Sequence, residues 1–292
     1  MSQSPDKLFY SSFNKLDAPA DEALACIVSI GLDNTSHFQH GTHRGPQAIL
    51  RASHLLESFD FESKTSLHAI KLHHVHMSEL PSSNTEALEM ISNELEKIPN
   101  GQWPLFLGGE QTLARAAYKF VSERFANPSE TSILYLDAHA DLKNSYQGSG
   151  QSHRCTLRAL SESSDSIVLA GLRNSSEDEW LYSERSKKIT TFSSSDLQAN
   201  ENIDKLLSAL KENVYISLDL SILDPSECPA VSHPEPNGIS FERLNYLLQR
   251  VFKAKNVIGM DVCELCPSRS DSSSEYLAAK LVQKVLRYKF LP

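Results

Sequence analysis

The sequence predicts an α/β protein in three layers, α/β/α, around a central and mostly parallel sheet. Three observations predict it. Six short apolar runs rich in Ile, Val and Leu recur along the chain, and near-continuous apolarity is how strands covered on both faces read. Stretches with apolar residues at helical spacing lie between several of these runs, and such alternation returns successive strands to one sheet. Polar residues able to bind a ligand gather just after two of the runs, at the carboxyl ends where open α/β sheets hold ligands.

In chain order, ACIVSIGL (25–32) is the first expected strand. KLHHVHM (71–77) reads as a peripheral strand that exposes His73, His74 and His76. PLFLGG (104–109) is the next strand. Leu113, Ala116, Ala117, Phe120 and Val121 then fall at i, i+3, i+4, i+7 and i+8, which predicts a helix. SILYLDAH (132–139), SIVLAGL (166–172), NVYISLDL (213–220) and VIGMDVCEL (257–265) complete the strands. Ser240 is a candidate N-cap for a helix carrying Leu244, Leu247, Leu248 and Val251. Leu277, Ala278, Leu281, Val282, Val285 and Leu286 stripe a last helix, and ESSDS (162–166) and SRSDSSSE (268–275) read as loops. With no internal repeat and no long linker, residues 1–292 are expected to form one domain.

The formal net charge of −9 argues against a nucleic-acid-binding surface. Five scattered cysteines argue against a disulfide framework and for a reducing compartment. MSQSPDKLFYSSFNKL at the amino terminus has no apolar core of signal-peptide length, and no apolar run reaches the ~20 residues of a membrane span. A cytoplasmic protein with no membrane partner is expected. The chain has no G-x-S-x-G, P-loop or G-x-G-x-x-G motif. Cys263 and Cys266 form a C-x-x-C without a second pair, so buried free thiols are the expectation.

Residues two apart in a strand share a face. In YLDAHADL this puts Asp137, His139 and Asp141 in one direction, and in ISLDLSILDP it puts Asp219 and Ser221 together. Like charges brought together out of water need a cation. Oxygen donors with one histidine suit Mn²⁺ or Mg²⁺ better than structural zinc.

Six ordered motifs give the chain a resemblance. HGTHRGPQAILRAS (40–53), LGGEQT (107–112), DAHADL (137–142), DLKNSYQGSGQSH (141–153), SLDLSILDPSECPAVSHPEPNGIS (217–240) and DVCELCP (261–267) resemble segments of the ureohydrolase family of arginases and agmatinases, most closely its agmatinase branch. The resemblance implies an arginase-like fold and two Mn²⁺ ions bridged by a hydroxide that attacks a guanidinium carbon and releases urea. It implies metal ligands at Asp137, His139, Asp141 and Asp219. Two further ligand positions depart from the family pattern, with Gln111 in place of a histidine and Ser221 in place of an aspartate. By the family pattern one ion would see Gln111, Asp137, Asp141 and Asp219 and the other Asp137, His139, Asp219 and Ser221. The first is expected to be held and the second weakly or not at all, giving reduced manganese occupancy and slowed hydrolysis.

By the same resemblance Asp141 is a catalytic as well as a metal residue. His153 is the expected proton shuttle and Glu264 the expected anchor for the guanidinium, both touching substrate. Asn174 and Ser176 stand where arginases carry an Asp-x-Asp, and the loop after Asp141 is agmatinase-like. Both favour a small cationic, agmatine-like guanidine over free arginine, while His233 stands where agmatinases carry a small residue. A homo-oligomer, trimer or hexamer, is expected. The alternative left open is an impaired or inactive family member that keeps the fold and acts by binding or regulating a partner.

Overall fold

The computed structural model describes residues 18–77, 79–268 and 270–291. The amino-terminal stretch read above for a signal segment, residues 1–16, lies wholly outside the described residues. The strands are β1 (Ala25–Ile30), β2 (Phe59–Asp60), β3 (Thr65–Ser66), β4 (Leu72–Met77), β5 (Trp103–Gly108), β6 (Thr131–Leu136), β7 (Ile167–Leu172), β8 (Ile189–Ser193), β9 (Asn213–Asp219) and β10 (Asn256–Cys263). The α-helices are α1 (Gly45–Ser53), α2 (Asn84–Leu95), α3 (Ala114–Phe125), α4 (Thr156–Ser163), α5 (Glu177–Arg185), α6 (Asn200–Ala209), α7 (Phe241–Ala254) and α8 (Ser273–Phe290).

Eight strands form one sheet in the order β4-β1-β5-β10-β9-β6-β7-β8. Every ladder in it is parallel. The apolar runs behave as expected: β1, β5 and β6 are buried along their whole length. Their side chains feed two cores. One packs against α1, α6, α7 and α8, the other against α2, α3 and α4. Helices thus cover both faces, which is the three-layer α/β/α arrangement.

The expected helices form. Ser240 caps α7, its hydroxyl accepting the Arg243 N–H at 3.1 Å. The apolar stripe of α8 is buried from Ala278 to Leu286, and α8 begins at Ser273, inside the segment read as a loop. β8 has no counterpart in the sequence reading. It is a five-residue edge strand in which only Ile189 and Phe192 are buried, and its ITTFS run is too short and polar to stand out.

One correction concerns β4. It is an edge strand, but only His76 is exposed; His73 and His74 are half-buried against β1. His74 Nε2 lies 3.0 Å from Ser29 Oγ, and burial, with the neighbouring His76 and His73, pulls its pKa down to about 3. The five cysteines are all free and buried, Cys263 and Cys266 among them. Among the described residues no helix is long and apolar enough to cross a membrane.

Candidate metal centre and active site

Parallel strands end together, so the loops after β5, β6, β9 and β10 meet at one edge of the sheet. Those loops begin with Gly109, Asp137, Leu220 and Glu264, respectively, and β9 itself ends in Asp219. The approach is close. A Cβ on Gly109 would fall 1.9 Å from the Leu32 carbonyl oxygen, so only glycine lets the β5 loop pass. Asp141 (φ 49°) and Glu264 (φ 69°) adopt the left-handed backbone region, uncommon for residues with a Cβ.

Asp137, His139 and Asp219 converge, one ligand atom of each lying within 4.8 Å of the others. All three are buried. Asp137 Oδ1 accepts the His139 N–H at 2.8 Å and the Ser221 hydroxyl at 3.1 Å. Asp219 Oδ1 accepts the Ser221 N–H at 2.6 Å. Asp137 Oδ2 is buried with no protein partner, an uncommon condition for a carboxylate oxygen unless an ion or water completes it. These residues fit one divalent cation.

Asp137, His139 and Asp141 are expected to share a face as an extension of the strand, but the strand stops short of them. β6 ends at Leu136, so the three lie on a loop and not on a pleated strand. Asp141, in a left-handed turn, lines the same cavity as His139 and Asp219 but lies outside their closest cluster, and its Oδ2 is 2.9 Å from the Tyr135 hydroxyl. The same hydroxyl lies 2.8 Å from Gln111 Oε1. Gln111 is therefore present at the site, but its amide oxygen faces a phenol. Its Nε2 donates to Ser217 Oγ at 3.1 Å, and Ser217 donates to Asp261 at 3.1 Å. The phenol has one hydrogen to give, so a proton on Asp141 completes the other contact, and the ion expected on Gln111 and Asp141 fits this arrangement less well than one on Asp137, His139 and Asp219.

Electrostatics follow from burial. Asp219 is held well above the usual carboxylate range by burial and by the Asp137 and Glu264 charges. Burial and the Asp137 charge push Asp141 up to about 8. Burial, and behind it the Glu110 charge, raises Glu264 to about 8. At His139 burial acts to lower the pKa, but the hydrogen bond and charge of Asp137 outweigh it and the net shift is upward. Crowded carboxyls that cling to protons are the signature of a site short of positive charge.

Glu264 is fixed through both oxygens: Oε1 accepts the Gln111 N–H at 2.7 Å and Oε2 accepts the Ser232 hydroxyl. His153 depends on Thr35. The Thr35 hydroxyl donates to Glu110 Oε1 at 3.1 Å, so its lone pairs receive the His153 N–H at 2.9 Å and His153 Nδ1 at 3.1 Å. A hydroxyl has one hydrogen to give. Nδ1 therefore carries the ring proton, and Nε2, which has no protein partner, is bare. Burial, His233 and Arg154 hold the His153 pKa down to about 3. His233 stacks on His153 with ring centroids 5.3 Å apart. The cavity they close, lined also by His139, Asp141, Asp219 and Glu264, measures about 10 Å³.

Sequence reasoning missed Tyr135, Thr35, Glu110 and Ser232 in this site. Tyr135 stands two residues before Asp137, in the same i, i+2 series as His139 and Asp141. That spacing was its one signal.

The family model for the arginase family matches residues 23–287. The chain belongs to the arginase family. It is 33% identical to N(1)-aminopropylagmatine ureohydrolase of Thermus thermophilus, over 96% of this chain and 94% of that one. It is 29% identical to agmatinase of Pyrococcus horikoshii, over 95% of this chain and 96% of the relative. Among solved structures, agmatine ureohydrolase of Thermoplasma volcanium superposes with a TM-score of 0.84 at 27% identity, covering 95% and 94% of the two chains. Arginase-family membership thus supports ureohydrolase chemistry at the level of the family.

Proposed function

We propose that this protein hydrolyses an amidine carbon–nitrogen bond of a small, agmatine-like guanidino compound, releasing urea and an amine, with one bound divalent cation. The observation that carries the reading is the buried convergence of Asp137, His139 and Asp219 around an unpartnered carboxylate oxygen. Their oxygen-rich set suits manganese. When bound, the ion would supply the Lewis acidity that makes water a usable nucleophile near neutral pH.

The chain's own residues would bind and move protons. Glu264 would anchor the planar guanidinium, its carboxylate already oriented by Gln111 and Ser232. His153 would carry a proton to the leaving amine through Nε2, whose lone pair is free because Thr35 holds Nδ1–H. Asp141, bound to Tyr135, would act by shaping the site and not by touching the reacting atoms. A cavity of about 10 Å³ has room for about one water. A guanidino group would therefore enter only when His233 swings off His153. The names of the relatives, aminopropylagmatine ureohydrolase and agmatinase, favour a decarboxylated guanidine over arginine. A cytoplasmic homo-oligomer, trimer or hexamer, serving polyamine metabolism belongs to the same reading.

A second reading is favoured by the Tyr135 hydrogen bonds and the closed cavity. In it the protein keeps the fold and binds a ligand or partner without turnover. The test is urea release from a panel that includes agmatine, N(1)-aminopropylagmatine and arginine, at saturating manganese. Turnover of a decarboxylated guanidine supports hydrolysis. No urea from any of them refutes it and leaves the second reading.

A further inference from the structure

The family pattern has two ions, and the side chains at the sheet edge divide into two unequal groups. Asp137, His139 and Asp219 face one another across a space in which a buried carboxylate oxygen lacks a partner. Gln111 Oε1 and Asp141 Oδ2 are different. They lie 2.8 and 2.9 Å from one phenol oxygen, both at hydrogen-bond distance. A small divalent cation would need both oxygens at about 2.0–2.2 Å. On the side of those oxygens that faces the phenol, such an ion would fall within bonding distance of the phenol oxygen, with no room for both.

Tyr135 cannot readily leave. Its ring is fully buried in the core that packs on α2, α3 and α4, and its strand lies between β9 and β7. Nearby, Ser221 shows the same substitution of hydrogen bond for charge. Its hydroxyl donates to Asp137 at 3.1 Å. Gln111, in turn, is tied through Ser217 to Asp261. Two neutral hydroxyls, of Tyr135 and Ser221, thus stand against oxygens that would otherwise call for a second cation, and Gln111 is held in place by Ser217.

We infer that the Tyr135 hydroxyl takes the place of a second divalent cation, so that the chain holds one ion, on Asp137, His139 and Asp219. The inference rests on the metal-site reading above and deepens it. It has a consequence that the substituted ligands alone do not: restoring Gln111→His and Ser221→Asp is insufficient while the phenol stays.

The experiment measures manganese bound per chain, by atomic emission after equilibration with Mn²⁺ and removal of free ion, on the full chain. The unaltered protein is expected to hold about one ion. Gln111→His with Ser221→Asp is expected to stay near one, and adding Tyr135→Phe to that pair to bring it towards two. Two ions on the unaltered protein, or on the double variant, overturn the inference. So does a triple variant that melts cooperatively yet stays at one. Should the triple variant fail to fold, electron paramagnetic resonance of the Mn²⁺-loaded unaltered protein decides. An isolated six-line Mn²⁺ signal supports a single ion, and an exchange-coupled pair overturns it. No bound ion on the unaltered protein sinks the metal-site reading and the single-ion claim together, while the comparison of double and triple variants still tests the phenol separately.

Discussion

Replacing Tyr135 with phenylalanine removes one oxygen and almost nothing else. The ring keeps its volume in the core, so no large cavity forms. What changes is the partner of Gln111 Oε1 and of Asp141 Oδ2, each of which loses a contact of 2.8 or 2.9 Å. Tyr135, Gln111 and Asp141 are all buried. Leaving a buried polar atom unsatisfied costs about 1–3 kcal/mol. Two such oxygens, partly relieved by relaxation and by a proton on Asp141, give a loss of about 2–4 kcal/mol. With an unfolding entropy near 2.1 cal/mol/K per residue, a chain of this size loses about 1.6 °C for each kcal/mol, so the melting temperature should fall by about 3–7 °C. Thermal unfolding followed by far-UV circular dichroism in metal-free buffer reads this directly. A Tyr135→Phe protein melting within about 1 °C of the unaltered one would refute the claim that the phenol bridges Gln111 and Asp141.

Three further predictions address other parts of the site. Thr35→Val removes the hydroxyl that joins Glu110 to His153. Steady-state urea release should drop about tenfold and its pH profile shift, with bound manganese unchanged; an unaltered rate and profile would rule out the positioning role of Thr35. Gly109→Ala would drive a Cβ to 1.9 Å from a backbone oxygen that cannot move aside. Chemical denaturation should show a loss of about 3 kcal/mol or a failure to fold, and a neutral result would mean the β5 loop is free to shift. Asp261 is pushed up to about 7 by burial, against an ordinary 3.8. The folded chain keeps a proton that the unfolded chain has released, so this stability is full below about pH 4 and is lost as pH rises through about 7. Asp261→Asn should flatten the fall of stability over that range by up to about 1.4 kcal/mol per pH unit; denaturant midpoints with the same pH slope in both proteins would contradict the assignment.

Much of this molecule was legible in the chain, and the reason differs from part to part. The buried strands announced themselves because a strand covered on both faces must be apolar along its length, as β1, β5 and β6 are. The edge strand β8 has one neighbour and only two buried residues, and its ITTFS carried too weak a pattern to be seen. Ser240 could be read as a cap because capping is a local bond, made between residues three apart. Asp137, His139 and Asp219 were found from strand ends and motif resemblance.

Asp141 was placed by extending the two-residue pleat beyond the end of β6, and it lines the cavity by another route. A left-handed turn at that residue broke the alternation. His73 and His74 were misread for a related reason: how far an edge strand is covered depends on the strand beside it, here β1.

The sequence by itself determined the parallel α/β layering, the strand ends that carry the chemistry, and the two positions where Gln111 and Ser221 replace the expected ligands. The layering and strand ends follow from apolarity and spacing along one segment at a time, and the two replaced positions from the resemblance to the ureohydrolase family. Only the tertiary structure decided that Tyr135, an ordinary strand residue in the sequence, ties together Gln111 and Asp141. It also decided that Thr35 sets the free nitrogen of His153, and that His233 closes the cavity above it. Hydrogen bonds and ring contacts between residues distant in the chain exist only once the strands have been brought side by side, and no local pattern encodes them.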